Sequence, residues 1–286
     1  MTICLDVTDK LEAGLVEVYG KIHSLAVSLD IPLLIVGATA RDIILVHGFH
    51  AQIERGTRDV DFAIEVKNWA HYETLRHALV EHGFTQHEQE TQKLTINDSD
   101  NKPWEIDLIP FGGVSDTDGQ ITWPPEHAIV MSVLGFEEVY AHAWDVTLSQ
   151  TPALTVRVAS PAGILLLKLI AWTERRLSVP GKDATDLYYV IRHYSKIPSV
   201  INALYDDGYM EANDYDDIQA SAMKLADEVL IMSHPATLSH LYAMLFNDEY
   251  KLEKLTTDIS KYTRAEYDEA EALVAIIKKQ FLEENS

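Results

Sequence analysis

Asp59 and Asp61 stand two residues apart in the run Asp59-Val60-Asp61-Phe62-Ala63-Ile64. A third carboxylate, Asp107, lies inside the apolar run Ile106-Asp107-Leu108-Ile109. Side chains alternate along a strand, so residues two apart share a face. Carboxylates held side by side repel, and the cost needs compensation. A divalent cation such as magnesium compensates it and also grips the phosphates of a nucleotide. This pairing suggests phosphoryl or nucleotidyl transfer. A D-x-D pair alone is common and is often no more than a pair of solvated acids. Asp107 shifts the balance, because a carboxylate in an apolar strand needs a partner or a metal. It shares a strand face with Glu105 and Ile109. A third acid there supplies a base for an attacking hydroxyl, or a further metal ligand.

Other residues fit a phosphate ligand. The apolar run Leu33 to Val36 stops at Gly37, and the chain turns through Ala38 and Thr39 into a helix-like stretch, Ala40 to Val46. A strand–glycine–helix turn lets backbone amides approach phosphate, and the helix N-terminus favours anions. Thr39 offers a hydroxyl. Lys168 has Ile164, Leu165, Ala171 and Trp172 as its helical neighbours three and four residues away, all apolar. Lysine is rarely buried without a partner, and a triphosphate or a buried aspartate would supply one. The bland alternative is a stem that snorkels to the surface. Arg175 follows two turns along the same face. Asp183 and Asp186 border the apolar stripe Leu187, Val190, Ile191 and Tyr194, where one of them could hold Lys168 or Arg175. Asp183 is as well suited to capping a helix. The twelve histidines form no zinc pattern: His47 and His50 are three apart and lack the H-E-x-x-H form.

These residues need elements to position them. Apolar spacing predicts a helix over Asp9 to Leu29, ended by Pro32. Buried strands are expected at Leu33–Val36 and Val60–Val66, with a polar loop from Gly48 to Thr57 between them. Trp69 to His82 reads as an amphipathic helix ending at Gly83. Lys93–Ile96 and Trp104–Ile109 read as paired strands across the turn DSDNKP. Short strands are expected near Glu137–Tyr140 and Leu154–Val158, and Trp123-Pro124-Pro125 reads as a rigid turn. From Ser160-Pro161, a good helix start, the character turns helical. Asp183 to Tyr194 is one such helix, and others follow from Pro198, punctuated at Gly208 and His234-Pro235.

Composition sets outer limits. The formal net charge of -22 over 286 residues disfavours contact with nucleic acid over most of the surface. Residues 150–200 are the exception, with seven Lys/Arg against three Asp/Glu. That basic island suits a nucleoside triphosphate, or one end of an RNA. Cys4 is the only cysteine, which excludes an internal disulfide and a cysteine-based metal site. The N-terminus shows no secretory signal, and the apolar run around Gly163 to Trp172 is far too short to span a bilayer. A cytoplasmic protein with no membrane partner is the expectation.

The pattern Gly37-Ala38-Thr39-Ala40-Arg41-Asp42, then Asp59-Val60-Asp61, then Asp107, resembles the DNA polymerase beta-like nucleotidyltransferase superfamily. Its G-x-x-x-R-D element is similar to the head of CCA-adding enzymes and bacterial poly(A) polymerases. Lys168 to Ala171, Arg175, and Lys182-Asp183 to Asp186-Leu187 resemble the K-x-x-A…R…KD-x-x-D-L signature of AbiEii-like nucleotidyltransferase toxins. The resemblance covers roughly residues 30 to 195. It implies an α/β (α+β) nucleotidyltransferase-type domain with a mixed sheet over residues 1–158, followed by a mainly helical domain over 159–286 that contributes NTP-binding residues. It implies that Asp59, Asp61 and Asp107 bind magnesium or manganese. Gly37, Ala38, Thr39, Arg41, Lys168, Arg175 and Lys182 would bind the nucleotide, and Asp186 would act as a catalytic or orienting acid. Ala38 departs from the usual G-S or G-G turn, which leaves Thr39 to supply the hydroxyl. The implied partners are an NTP, an RNA (tRNA), protein or small-molecule acceptor, and a cognate antitoxin. The rival expectation is a non-catalytic nucleotide-binding or partner-binding module of the same fold.

Overall fold

The computed structural model describes residues 3–53, 59–124 and 129–283. The chain divides into two compact units, residues 1–48 with 52–160, and residues 49–51 with 161–286.

The first unit is a mixed sheet with helices. In chain order it holds β1 (Cys4–Asp6), α1 (Ala13–Ser28), β2 (Leu33–Val36), α2 (Gly37–Arg41), β3 (Asp59–Val66), α3 (Trp69–Glu81), β4 (Thr85–Gln86), β5 (Lys93–Asn97), β6 (Pro103–Gly112), β7 (Gln120–Thr122), β8 (Val130–Ser132), α4 (Phe136–Ala141), β9 (Trp144–Gln150) and β10 (Ala153–Val158). The main sheet runs β1-β9-β10-β2-β3-β6-β5-β4, while β7 and β8 pair separately. β2 and β3 are antiparallel, β3 and β6 parallel, β5 and β6 antiparallel. All four residues of β2 are buried, as a continuous apolar run in a central strand should be. β3 and β6 instead alternate. Val60, Phe62, Ile64, Trp104, Ile106 and Leu108 are buried, while Asp59 and Glu105 are exposed and Asp61 and Asp107 intermediate. The period of two thus turns every acid of these strands to one face.

The helices of this unit depart in detail from the sequence reading. α1 spans Ala13–Ser28, shorter than the expected Asp9 to Leu29, and buries Val18, Tyr19, Ile22 and Ala26, a face that takes in a tyrosine. The helix expected from Ala40 already begins at Gly37 and continues from Asp42 to Gly48 as a π-helical segment. Such wide turns often mark functional sites. The loop expected over Gly48 to Thr57 falls partly outside the described residues, which resume at Asp59. The strand expected at Glu137–Tyr140 is a correction: α4 occupies it. Gly135 takes the left-handed conformation just before it, at φ 86°, and Glu137 and Glu138 sit in its first turn. Acids there favour the positive helix end and outweigh the β-propensity of Val139 and Tyr140. Trp123 is buried against Trp69 and Tyr72, with ring centroids 5.3 and 5.6 Å away. The Pro125 half of its expected turn lies outside the described residues. Tyr72 also donates from its hydroxyl to the Leu108 carbonyl at 3.2 Å, which ties α3 to β6.

The second unit is helical: α5 (Pro161–Arg175), α6 (Lys182–Tyr194), α7 (Pro198–Asp206), α8 (Tyr209–Ala212), α9 (Asp217–Met232), α10 (Pro235–Leu241), α11 (Glu249–Tyr262) and α12 (Tyr267–Glu283), with a π-helical segment at Tyr242–Phe246. Helix starts follow local chemistry. Asp216 and Asp248 accept hydrogen bonds from the first-turn amides of α9 and α11, as side-chain N-caps do. Prolines open α7 and α10. α5 packs on α6 and α9, and α12 packs on α9 and α11. No described helix is long and apolar enough to cross a membrane.

Candidate active site

In the first unit the site begins with strand register. Asp61 of β3 stands directly beside Asp107 of β6, and Asp59 beside Glu105. Neighbouring strands lie about 4.8 Å apart, so side chains in register on one face touch. Next to Asp107 on its other side is Lys93 of β5. One row across three strands therefore reads Asp61, Asp107, Lys93.

The turn after β2 is shaped to this row. Gly37 has φ +71°, a conformation that costs other residues about 1–2 kcal/mol. A Cβ at this position would lie 2.0 Å from Asp61 Oδ2. The carboxylate of Asp61 thus rests on the bare Cα of residue 37. Thr39 is buried and donates from Oγ1 to the Asp59 carbonyl at 2.8 Å, which ties the turn to β3. Ala38 lies between them, half-buried. Arg41 is buried too, its Nε 2.9 Å from Asp42 Oδ1 and its Nη2 2.8 Å from the same oxygen.

Asp107 carries the electrostatic strain of this arrangement. Its Oδ1 is buried without a hydrogen-bond partner. Burial, then the charge of Asp61, pushes its carboxyl up from 3.8 to about 6, against the opposing pull of Lys93. Tyr19, which the helical pattern did not single out, comes up beneath the turn from α1. Its hydroxyl is fully buried, and its pKa is driven well above the ordinary value by burial and by the charges of Asp61 and Asp42. The sequence held a signal for it, since Leu15, Tyr19 and Ile22 fall on one helical face, but not for what its hydroxyl meets.

A hard divalent cation prefers oxygen ligands, and carboxylates above all. The register pair Asp61 and Asp107, with one buried oxygen lacking a protein partner, fits that preference. Asp59 shares the face but is exposed. Among the described residues, no group of three or more His, Cys, Asp or Glu side chains is gathered to hold a metal ion.

The second unit contains a separate cluster of charge. Lys168 is 6% exposed, and its Nζ lies 3.0 Å from Asp183 Oδ1 and 2.6 Å from Asp186 Oδ2. Arg175 binds Asp183 with both arms, Nε to Oδ2 at 2.9 Å and Nη2 to Oδ1 at 2.8 Å. Burial pushes the Asp183 carboxyl up, but the Arg175 hydrogen bonds and the Lys168 charge outweigh it and hold the group below the ordinary range. The apolar surround of Lys168 in the sequence thus marks real burial, with aspartates as the lysine's partners. Asp183 is the hub, while Gly181 precedes α6 at its N-cap. Lys182 opens that helix, half-buried.

The model of a family described as nucleotidyl transferase AbiEii toxin, type IV TA system, matches residues 25–264. The chain belongs to the AbiEii family. It is a nucleotidyltransferase, with a mixed sheet and a helical C-terminal region. Among solved structures, the AbiEii-family chain is similar to the antibiotic-resistance factor ANT(2'')-Ia, at 14% identity, covering 72% of this chain and 98% of that one with a TM-score of 0.35. It is also similar to the lincosamide antibiotic adenylyltransferase LnuA in its lincomycin-bound form, at 13% identity, 63% and 96% coverage and a TM-score of 0.37. A third likeness is to the Thermotoga maritima CCA-adding enzyme complexed with tRNA, at 9% identity, 97% and 83% coverage and a TM-score of 0.27. No curated protein matches.

Proposed function

We propose that this nucleotidyltransferase moves a nucleoside monophosphate from an NTP to an acceptor hydroxyl, with the row on β3 and β6 as its reaction centre. The observation that carries this reading is the register pairing of Asp61 with Asp107 against the bare Cα of Gly37. Two acids in register beside a glycine turn repel one another, and that repulsion falls when positive charge enters the site. They suit a centre that receives positive charge and phosphate.

In this reading Asp61 and Asp107 would hold magnesium or manganese, with Asp59 joining from the exposed end of the same face; the ion would screen phosphate charge and stabilise the attacking and leaving oxygens. The amides of Gly37, Ala38 and Thr39 face the phosphates, and Arg41 lends positive charge to that turn. Asp107 is the acid of the row placed to take a proton from the acceptor hydroxyl. The hydroxyl oxygen then bonds to the α-phosphorus as the bond to pyrophosphate breaks. Within the helical unit Lys168, Arg175 and Lys182 are the cations proposed for phosphate, with Asp186 orienting Lys168. The acceptor is an RNA, a tRNA 3′ end in particular, in preference to a protein hydroxyl. The basic island is the part of this acidic chain that tolerates a polyanion. As an AbiEii-family chain it would act as a toxin held in check by a cognate antitoxin, in the cytoplasm.

The test is incubation with each labelled NTP, magnesium and total RNA or cell lysate. Label joined to an RNA, with pyrophosphate released, supports the reading. Label on protein alone would overturn the RNA acceptor. No transfer with any NTP would overturn the reaction itself.

A further inference from the structure

The row that pairs Asp61 with Asp107 continues to Lys93, and nothing in the proposed reaction uses it. Lys93 faces Asp107 directly across the antiparallel β5–β6 pair. Residues so placed have Cβ atoms about 4.5–5.5 Å apart, well within the reach of a four-carbon stem. The ammonium now lies 3.2 Å from Glu90 Oε2 and 3.7 Å from Glu105 Oε2. Both glutamates are largely exposed, with side chains 44% and 55% accessible, whereas Lys93 is 22% accessible. Ion pairs with exposed partners contribute little, so leaving them costs little. Asp107 offers a buried oxygen without a hydrogen-bond partner. A buried acceptor left unmet is costly, and the cation of its own row is placed to meet it.

We propose that Lys93 is a positioning residue for Asp107: from the neighbouring strand its ammonium offsets the paired carboxylates and steadies Asp107 toward the acceptor hydroxyl. This rests on the reading of Asp107 given under Proposed function. Lys93 itself touches neither nucleotide nor acceptor. The glutamates serve as a resting place for the amine at the rim.

The test combines melting and kinetics. Lys93→Met, Asp107→Asn and the double variant are melted without metal at mildly alkaline pH. Lys93→Met is expected to lower the melting temperature by about 2 °C or more in the native background, and by less than half as much in the Asp107→Asn background. Equal losses in both would mean that Lys93 serves only Glu90 and Glu105, and would overturn the proposal. In transfer assays Lys93→Met should lower kcat about tenfold, less than the ~10²–10⁴ attributed to a general base itself. The KM for NTP should hold, and Lys93→Arg should recover much of the rate. A raised KM with intact kcat would make Lys93 a nucleotide ligand and also overturn it. If the native protein transfers nothing, the proposed reaction fails, while the melting cycle still decides whether Lys93 and Asp107 are coupled.

Discussion

Asp61 Oδ2 occupies the space in which any side chain on residue 37 would begin, 2.0 Å from the position of a Cβ there. The glycine and the aspartate are therefore one feature, in which the turn can approach β3 only because residue 37 is bare. Gly37→Ala should lose on two counts, the left-handed φ and the displaced carboxylate. A destabilisation of about 1–3 kcal/mol is expected by chemical denaturation. Transfer activity should fall much further than stability. An alanine variant with native stability and native rate would show that the contact is incidental.

Asp61→Asn nearly preserves shape while removing one charge from the pair. Nucleotide transfer should drop by at least about 10²-fold if the pair supports the transition state. Metal-free stability should hold or rise, because Asp107 then lacks its nearest like charge. Loss of folding together with activity would instead make Asp61 a structural residue.

The raised Asp107 carboxyl has a signed consequence for stability. Its folded pKa of about 6 lies above the unfolded value near 3.8. Between these values the folded state keeps a proton that the unfolded state has lost, so raising the pH through this window erodes stability. Below about pH 4 the group contributes nothing, and above about pH 6 its cost is complete. The melting temperature of Asp107→Asn should therefore pull ahead of the native protein as pH rises from 4 to 6 without metal, then run parallel. A constant gap would contradict a carboxyl raised by burial and by the charge of Asp61.

Asp183 works in the opposite sense. Its lowered carboxyl stabilises the fold above the ordinary aspartate range, and this is lost as the pH falls through its depressed pKa. Asp183→Ala leaves Lys168 and Arg175 without their shared partner. A loss of about 3–5 kcal/mol is expected on equilibrium unfolding. Lys168→Ala should cost a similar amount for the converse reason, since Asp186 would lose the ammonium beside it and Asp183 would be left to Arg175. The effect of Lys168→Ala on NTP affinity must be measured by calorimetry below its lowered melting temperature. Unchanged affinity there would leave Lys168 a structural cation.

Bulk nucleic-acid binding should be weak. With a net charge of -22, contact is confined to a local, end-directed patch. Tight, length-dependent binding to random duplex DNA in a filter or fluorescence assay at physiological salt would contradict this.

Much of this was legible in the chain. Period-two spacing placed Asp59, Asp61, Glu105 and Asp107 on strand faces, and the apolar run before Gly37 announced a buried strand followed by a turn. The apolar neighbours of Lys168 marked a buried cation because a helix repeats its environment every three to four residues. Glu137–Tyr140 was misread because a six-residue stretch carries too little periodicity to separate strand from helix. There the left-handed Gly135 and the two acids of the first turn decide the outcome.

Sequence alone determined which residues carry charge, which face of each strand they take and that a helix starts at Ser160-Pro161, because these follow from local spacing. Tertiary structure alone decided that Asp61 meets Asp107 in register, that Lys93 completes their row and that Asp183 holds both Lys168 and Arg175. Those facts depend on strand order and helix packing. They join residues far apart in the chain, whose partners are chosen by the whole fold and leave no local mark.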